Sequence, residues 1–217
     1  MTGIIEYSKF DNRVKAYLLS NVKSIMIRND EDLSQRVSAV NEALQEIHNY
    51  IGPDDPERYD RREFKIRFPR SYIRTASQFG ARLPFITDDI LKRNISYSLI
   101  EADLLSWLLN RTDVTGILRG MIIKSGIVKM GSIAEACVRF TTRGRLGERN
   151  GFKGRCGRLQ SDRQISMELL GEMNWLWDTR DTIHLHLLSN TELTRYSDGD
   201  FDRAFIGVRN LCIALSQ

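Results

Sequence analysis

Residues 87–109 read TDDILKRNISYSLIEADLLSWLL, and Leu91, Ile95, Leu99, Ala102, Leu105 and Leu109 recur there at three- and four-residue steps. That spacing draws one apolar stripe down one side of a helix. Thr87, Asp88 and Asp89 supply a capping side chain and two carboxylates at the positive end of the helix dipole. The stretch predicts an amphipathic helix packed on a core, and working outward from it the same period returns.

Downstream, a shorter helix is expected from Thr112 to about Lys124, and beyond Gly126 a further one with the stripe Ile127, Met130, Ile133, Cys137 and Phe140. A long helix is expected from Ser161-Asp162, its stripe running Ile165, Leu169, Met173, Leu176, Arg180, Ile183 or His184, Leu187. After the turn SNTELTRYSDGD, a last helix carries Phe201, Phe205, Val208, Cys212 and Leu215. Upstream, residues 11–27 show Val14, Leu18, Val22 and Ile25, and residues 31–51 show Leu33, Val37, Val40, Leu44, Ile47 and Ile51, before Gly52-Pro53 stops the pattern. Between these helices and residue 87 the chain reads as a polar connector, a short alternation at Phe64, Ile66 and Phe68 cut by Pro69, and an irregular piece with room for one short helix. The expected fold is all-α: a helical bundle over 90–217 with an N-terminal helical region over 1–89.

The bulk composition agrees. With 41% hydrophobic and 28% charged residues the chain can bury a core and is too apolar for disorder, while four prolines among 217 residues leave the helices unbroken. The apolar runs are short and interrupted by charge, and the opening MTGIIEYSKFDNR lacks the basic-then-apolar layout of a signal peptide, so no membrane is expected. Cys137, Cys156 and Cys212 are odd in number and lack C-x-x-C spacing, which points to a reducing cytoplasm rather than a disulfide framework or zinc site. The net charge of +4 is mild, so its meaning depends on where the cations sit. They concentrate in RFTTRGRLGERNGFKGRCGR, residues 139–158, with seven Lys/Arg, five Gly and one acid, Glu148. The stretch reads as a flexible basic loop.

Two of the three histidines stand in WDTRDTIHLHLL, residues 177–188. At about 100° per residue Arg180 falls on the stripe of Leu176 and Ile183, with His184 one turn above it. A guanidinium turned inward needs a carboxylate, an anionic ligand or a polar interface, because burying it unpaired costs several kcal/mol. Asp178, Asp181 and Glu135 are the candidate internal partners. A structural Arg–Asp network capped by a histidine is one reading. A metal centre is disfavoured, since histidines two apart do not share a helical face and no carboxylate–histidine pairing completes a ligand set. No cofactor is implied.

The arrangement around this motif resembles the HEPN superfamily, helical nucleotide-binding and ribonuclease domains marked by an arginine, four to six residues, then a histidine. Arg180 and His186 have five residues between them, with Asp181 in the polar slot after arginine; the commonest count is four, and His184, at three, has the better single-face geometry. Either histidine is a candidate. KSGIVKMGSIAEACVRF, 124–140, looks like the family's first core helix and residues 177–215 like its last two, so the resemblance covers about 90–217. It implies metal-independent cleavage of RNA by 2′-hydroxyl attack. Arg180 would bind phosphate, His184 or His186 would move the proton, and Asp181 would orient one of them. It further implies a homodimer through the Arg180 face, a toxin or defence role, and an antitoxin or larger defence complex as partner. In the basic stretch Arg143, Arg145, Arg149, Lys153, Arg155 and Arg158 are the expected RNA contacts, with Phe140 and Phe152 available to stack bases. The alternatives are a non-catalytic nucleotide- or RNA-binding module and a structural helical partner in a larger assembly.

Overall fold

The computed structural model describes residues 26–51, 65, 73–147, 149–181 and 196–217. Seven helices hold 75% of these residues and no strand occurs among them, so the fold is all-α. The alternation at 64–68 and the helix expected over 11–25 lie outside the described residues. The chain divides into two compact units, Met1–Phe68 and Pro69–Gln217.

In the first unit the described helix is α1, Asp30–Ile51. Asn29 Oδ1 accepts the N–H of Asp32 at 2.8 Å, and Asp30, Glu31 and Asp32 crowd the first turn, where carboxylates meet the positive end of the dipole.

The second unit contains α2 (Ala76–Gly80), α3 (Asp89–Arg111), α4 (Gly116–Thr141), α5 (Phe152–Ser161), α6 (Met167–Asp181) and α7 (Asp198–Ala214). It begins some twenty residues earlier than the boundary at 89/90 suggested by the sequence. The reason is burial: Phe79, Leu83 and Ile86 are core residues, and α2 packs on α3. A capping box starts α2, with Thr75 Oγ1 accepting from the Gln78 N–H and Gln78 Oε1 accepting from the Thr75 N–H. Just before it, Arg74 reaches the buried carboxylate of Asp103 on α3, Nε to Oδ2 at 2.8 Å with a second bond from Nη2 to Oδ1. Asp88 caps α3 through the N–H of Leu91 at 2.9 Å. Along its expected stripe Ile95, Ala102 and Leu109 are buried, and Leu91, Leu99 and Leu105 pack partly buried against the core.

At the centre stands α4, which touches α3, α5, α6 and α7, most extensively α7. One continuous helix replaces the two expected on either side of Gly126. Gly126 is not a stop: a Cβ there would clash with the ring of Phe201, so the glycine makes room for a side chain of α7. Buried residues run from Gly120 to Val138 on several faces, as expected of a helix with neighbours on most sides. Phe201 in turn stacks on Phe205, centroids 4.3 Å apart.

The open loop expected over 139–158 is also shorter than the sequence suggested. Helix α4 continues to Thr141, and α5 starts at Phe152 because Phe152, Cys156 and Leu159 form a buried stripe that the intervening glycines do not interrupt. Residues 162–166 then turn instead of opening α6. Arg163 sits at φ 59°, the Gln164 N–H returns to Leu159 O at 2.9 Å, and Ser166 Oγ caps α6 by accepting from Leu169. The last helix begins with a second capping box, Ser197 with Asp200.

These contacts decide opposite signs for one substitution. Replacing an interior helical glycine by alanine gains up to ~1 kcal/mol of helix propensity. Gly171 on α6 has nothing within 4 Å of a would-be Cβ, so Gly171→Ala should stabilise. At Gly126 overpacking against Phe201 outweighs the gain, and Gly126→Ala should lose about 1–3 kcal/mol net in denaturant unfolding.

Candidate functional site

Arg180 lies in the last turn of α6 and crosses to α4. Its side chain lies against Gly131, where an added Cβ would meet Arg180 Cδ at 2.8 Å; the missing side chain makes room for the arginine's stem. The guanidinium carbon stands 4.6 Å from the centroid of Trp177, one turn earlier on the same helix. Nη2 is 3.5 Å from Glu135 Oε2, long for a hydrogen bond, while the other oxygen of Glu135 takes a 2.9 Å bond from Arg139 Nε. One carboxylate thus serves two guanidinium groups. The Arg180 side chain is 28% exposed, neither sealed in the core nor free in water.

Of the three acids weighed as internal partners, Glu135 is the one that Arg180 meets. Asp178 points elsewhere, its Oδ1 taken by Lys153 Nζ at 2.5 Å, and Asp181 is exposed without a bond to another described residue. His184 and His186 lie outside the described residues, so the structure describes the arginine of the motif and its polar neighbour Asp181. Behind Arg180, Trp177 stacks on Phe152 of α5 with centroids 4.6 Å apart and 15° between planes. An arginine–tryptophan–phenylalanine column therefore ties α6 to α5. Trp175, on another face, carries Arg203 of α7 at 4.1 Å, and that arginine also pairs with Glu172 through two bonds, 2.6 and 3.0 Å.

The six expected RNA contacts do not form one surface set. Arg155 is corrected outright as a solvent-facing cation: it is 5% exposed. Its guanidinium donates to Thr142 Oγ1 (2.8 Å), Asn150 O (3.0 Å) and Gly147 O (3.1 Å), so it holds the 142–151 turn together from inside. Two carbonyls of the glycine-rich turn and one hydroxyl thus take their donors from this one side chain. Arg145 and Arg158 both approach Asp162, at 3.6 and 3.0 Å, and Lys153 is held by Asp178. Arg143 and Arg149 are exposed. Phe152 is 2% exposed and occupied by Trp177, so it is not a platform for a base; Phe140 is partly buried against the core.

Among the described residues no group of three or more His, Cys, Asp or Glu is placed to hold a metal ion. All three thiols are buried. Burial pushes Cys156 up to about 12, and Cys137 is raised well above the usual thiol range, first by a hydrogen bond with Cys212, whose own value the same bond lowers. A nucleophilic cysteine is therefore not offered by Cys156 or Cys137. A separate open cleft of about 550 Å³ runs between the 160–169 turn and the end of α7, lined by Gln164, Ile165, Asn210 and Ile213 among others; Arg180 does not reach it.

No family model matches the chain, and no curated protein or solved structure matches it.

The placement of Arg180 over Gly131 has a thermodynamic signature. Gly131→Ala should cost about 1–2 kcal/mol by forcing the arginine stem aside. In an Arg180→Ala background the obstruction at Cδ is gone, and the same change should become neutral or stabilising by up to ~1 kcal/mol. A cycle of four unfolding curves measures the coupling.

Proposed function

We propose that the helical unit acts on RNA as a metal-independent endoribonuclease of the HEPN type, with a toxin- or defence-type role. The observation that carries the reading is the state of Arg180: positioned by Gly131 and Trp177, a quarter exposed, and held by a carboxylate 3.5 Å away that it shares with Arg139. An arginine whose donors are only partly committed retains N–H groups for a phosphate, and its stem is already ordered, so little rotamer freedom is lost on binding.

In the proposed reaction Arg180 donates to the non-bridging phosphate oxygens, where negative charge accumulates as the ribose 2′-oxygen attacks phosphorus. His184 or His186 accepts the 2′-hydroxyl proton. The P–O5′ bond breaks, a proton returns to the departing 5′-oxygen, and the products are a 2′,3′-cyclic phosphate and a 5′-hydroxyl end. Asp181, exposed at the last residue of α6, would orient one of these groups. Arg143 and Arg149 extend the phosphate contacts, with Arg145, Lys153 and Arg158 contributing once they exchange Asp162 and Asp178 for the nucleic acid.

Glu135 and Trp177 give Arg180 a partial partner inside one chain, and the homodimer through the Arg180 face stays part of the proposal on the family resemblance alone. The second reading is a nucleotide- or RNA-binding module without cleavage, in which Arg180 holds phosphate and no proton is transferred; in both readings the Glu135 carboxylate competes with the phosphate for the Arg180 fork.

Incubation with mixed single-stranded RNA in chelator separates the two. The nuclease reading expects 2′,3′-cyclic phosphate ends, loss of activity in Arg180→Ala, and a drop of about 10²–10⁴ when the operative histidine is replaced. Metal-dependent cleavage that survives Arg180→Ala excludes it; tight binding without new ends supports the module. In either case Glu135→Gln should tighten RNA binding a few-fold at low salt, on the ~0.2–1 kcal/mol scale of a part-exposed ion pair.

A further inference from the structure

Helices α4 and α7 run parallel, and their register brings two thiols together. Arg119, in the first turn of α4, pairs with Asp198, the first residue of α7, at 2.8 Å. Further along, Gly126 makes room for the ring of Phe201. Eleven residues beyond each of these stand Cys137 on α4 and Cys212 on α7. Eleven residues are close to three turns, about 16.5 Å of helix, so each cysteine returns to the face that carries the Gly126–Phe201 contact and at matching height. There the two side chains meet in a hydrogen bond, Cys137 S–H donating to Cys212 Sγ. The packing of α4 on α7 is the most extensive between helices among the described residues.

The two thiols differ in access and in chemistry. Cys137 is 0% exposed and Cys212 9%, so a small neutral oxidant reaches Cys212 first. The bond from Cys137 holds the Cys212 thiol below its usual range, while the donor itself is raised well above it. A sulfur that leans towards thiolate, with an S–H partner in contact, is the arrangement of an attacking thiol and its resolving thiol. Cys156, on α5, is fully buried and pushed up to about 12 by that burial. It serves as an internal control.

We propose that Cys137 and Cys212 are an oxidisable pair that closes into a disulfide between α4 and α7 when a small hydroperoxide is supplied, with Cys212 reacting first. The Cys212 sulfur attacks one oxygen of hydrogen peroxide; the S–O bond forms, the O–O bond breaks, and the departing hydroxide takes the thiol proton to leave as water. The Cys137 sulfur then attacks the sulfenic sulfur. The S–S bond forms, the S–O bond breaks, and the Cys137 proton leaves with the hydroxide as a second water. Two thiols thus give two electrons to one peroxide. The bond closes a ring of chain that includes α5 and α6, the helix that carries Arg180, and it does not rest on the ribonuclease reading.

The test uses the full reduced chain, treated with hydrogen peroxide at about 1 mM, quenched with catalase and alkylated in denaturant. Peptide mapping should find a Cys137–Cys212 link within one chain, with Cys156 recovered alkylated and oxidised at least about tenfold more slowly. A thiol reductant should restore all three thiols. In Cys137→Ser the oxidation should stop at a Cys212 sulfenic acid, captured by a cyclic diketone, whereas Cys212→Ser should leave Cys137 as slow as Cys156. The map of the unsubstituted chain decides the pairing even where a serine variant folds poorly. Peroxide in denaturant should erase the preference, because there the helices no longer hold the two sulfurs together. Native protein that keeps all three thiols overturns the proposal, as does a link that forms equally with Cys156 or joins two chains. A sulfenic acid trapped on Cys137 in Cys212→Ser overturns the order of attack.

Discussion

Phe201 occupies the space that a side chain at residue 126 would need, and the rest of the bundle is arranged around that approach. Helix α4 must bury most of its circumference, because α3, α5, α6 and α7 all lean on it. Large residues on every face would hold those neighbours at ordinary interaxial distance. Glycine at two points of the helix admits one neighbour closely on each occasion: Gly126 takes the ring of Phe201, and Gly131, a turn and a half further on, takes the stem of Arg180. The first contact fixes α7. The second determines where a charge can sit at the edge of the core, and so links packing to the proposed chemistry.

The environment of Arg180 follows from this. A guanidinium lying on a glycine, over an indole and near a shared carboxylate gains from each contact while keeping part of its surface wet. The full desolvation penalty of a buried ion pair is avoided, and so is the rotamer disorder of a free surface arginine. Arg155, thirteen residues past Thr142, shows the other outcome: every donor it uses is turned inward, and it acts as a brace for the turn between α4 and α5. The two arginines thus have different work, decided by whether carbonyls or solvent face the fork.

Much of the fold was legible in the period of the apolar residues. The stripes of α3 and α7 are the observed buried faces, and Asp88 caps α3 where the sequence placed a start. Gly126 misled, since a glycine inside a periodic stretch signals a break and a close approach alike, and only the presence of Phe201 separates them. The glycines at 154 and 157 hid α5, because composition outweighed the short stripe of Phe152, Cys156 and Leu159. At the site, Glu135 was within reach of sequence reasoning as a carboxylate on a neighbouring helix, and Trp177 as the residue three before Arg180. The role of Gly131 was not, as it depends on an interhelical distance. Nor was the inward turn of Arg155, which depends on which loop carbonyls are left without donors.

Arginine side-chain NMR tests the central claim, that the Arg180 fork is pre-positioned yet open to a phosphate, most directly. With ¹⁵Nε-labelled arginine and Arg180→Lys to assign the signal, titration with single-stranded RNA should shift the Arg180 Nε–H resonance while that of Arg155, committed to Asn150 O, stays in place. An Arg180 signal that does not move at saturating RNA, while exposed arginines such as Arg143 and Arg149 do respond, would contradict the account.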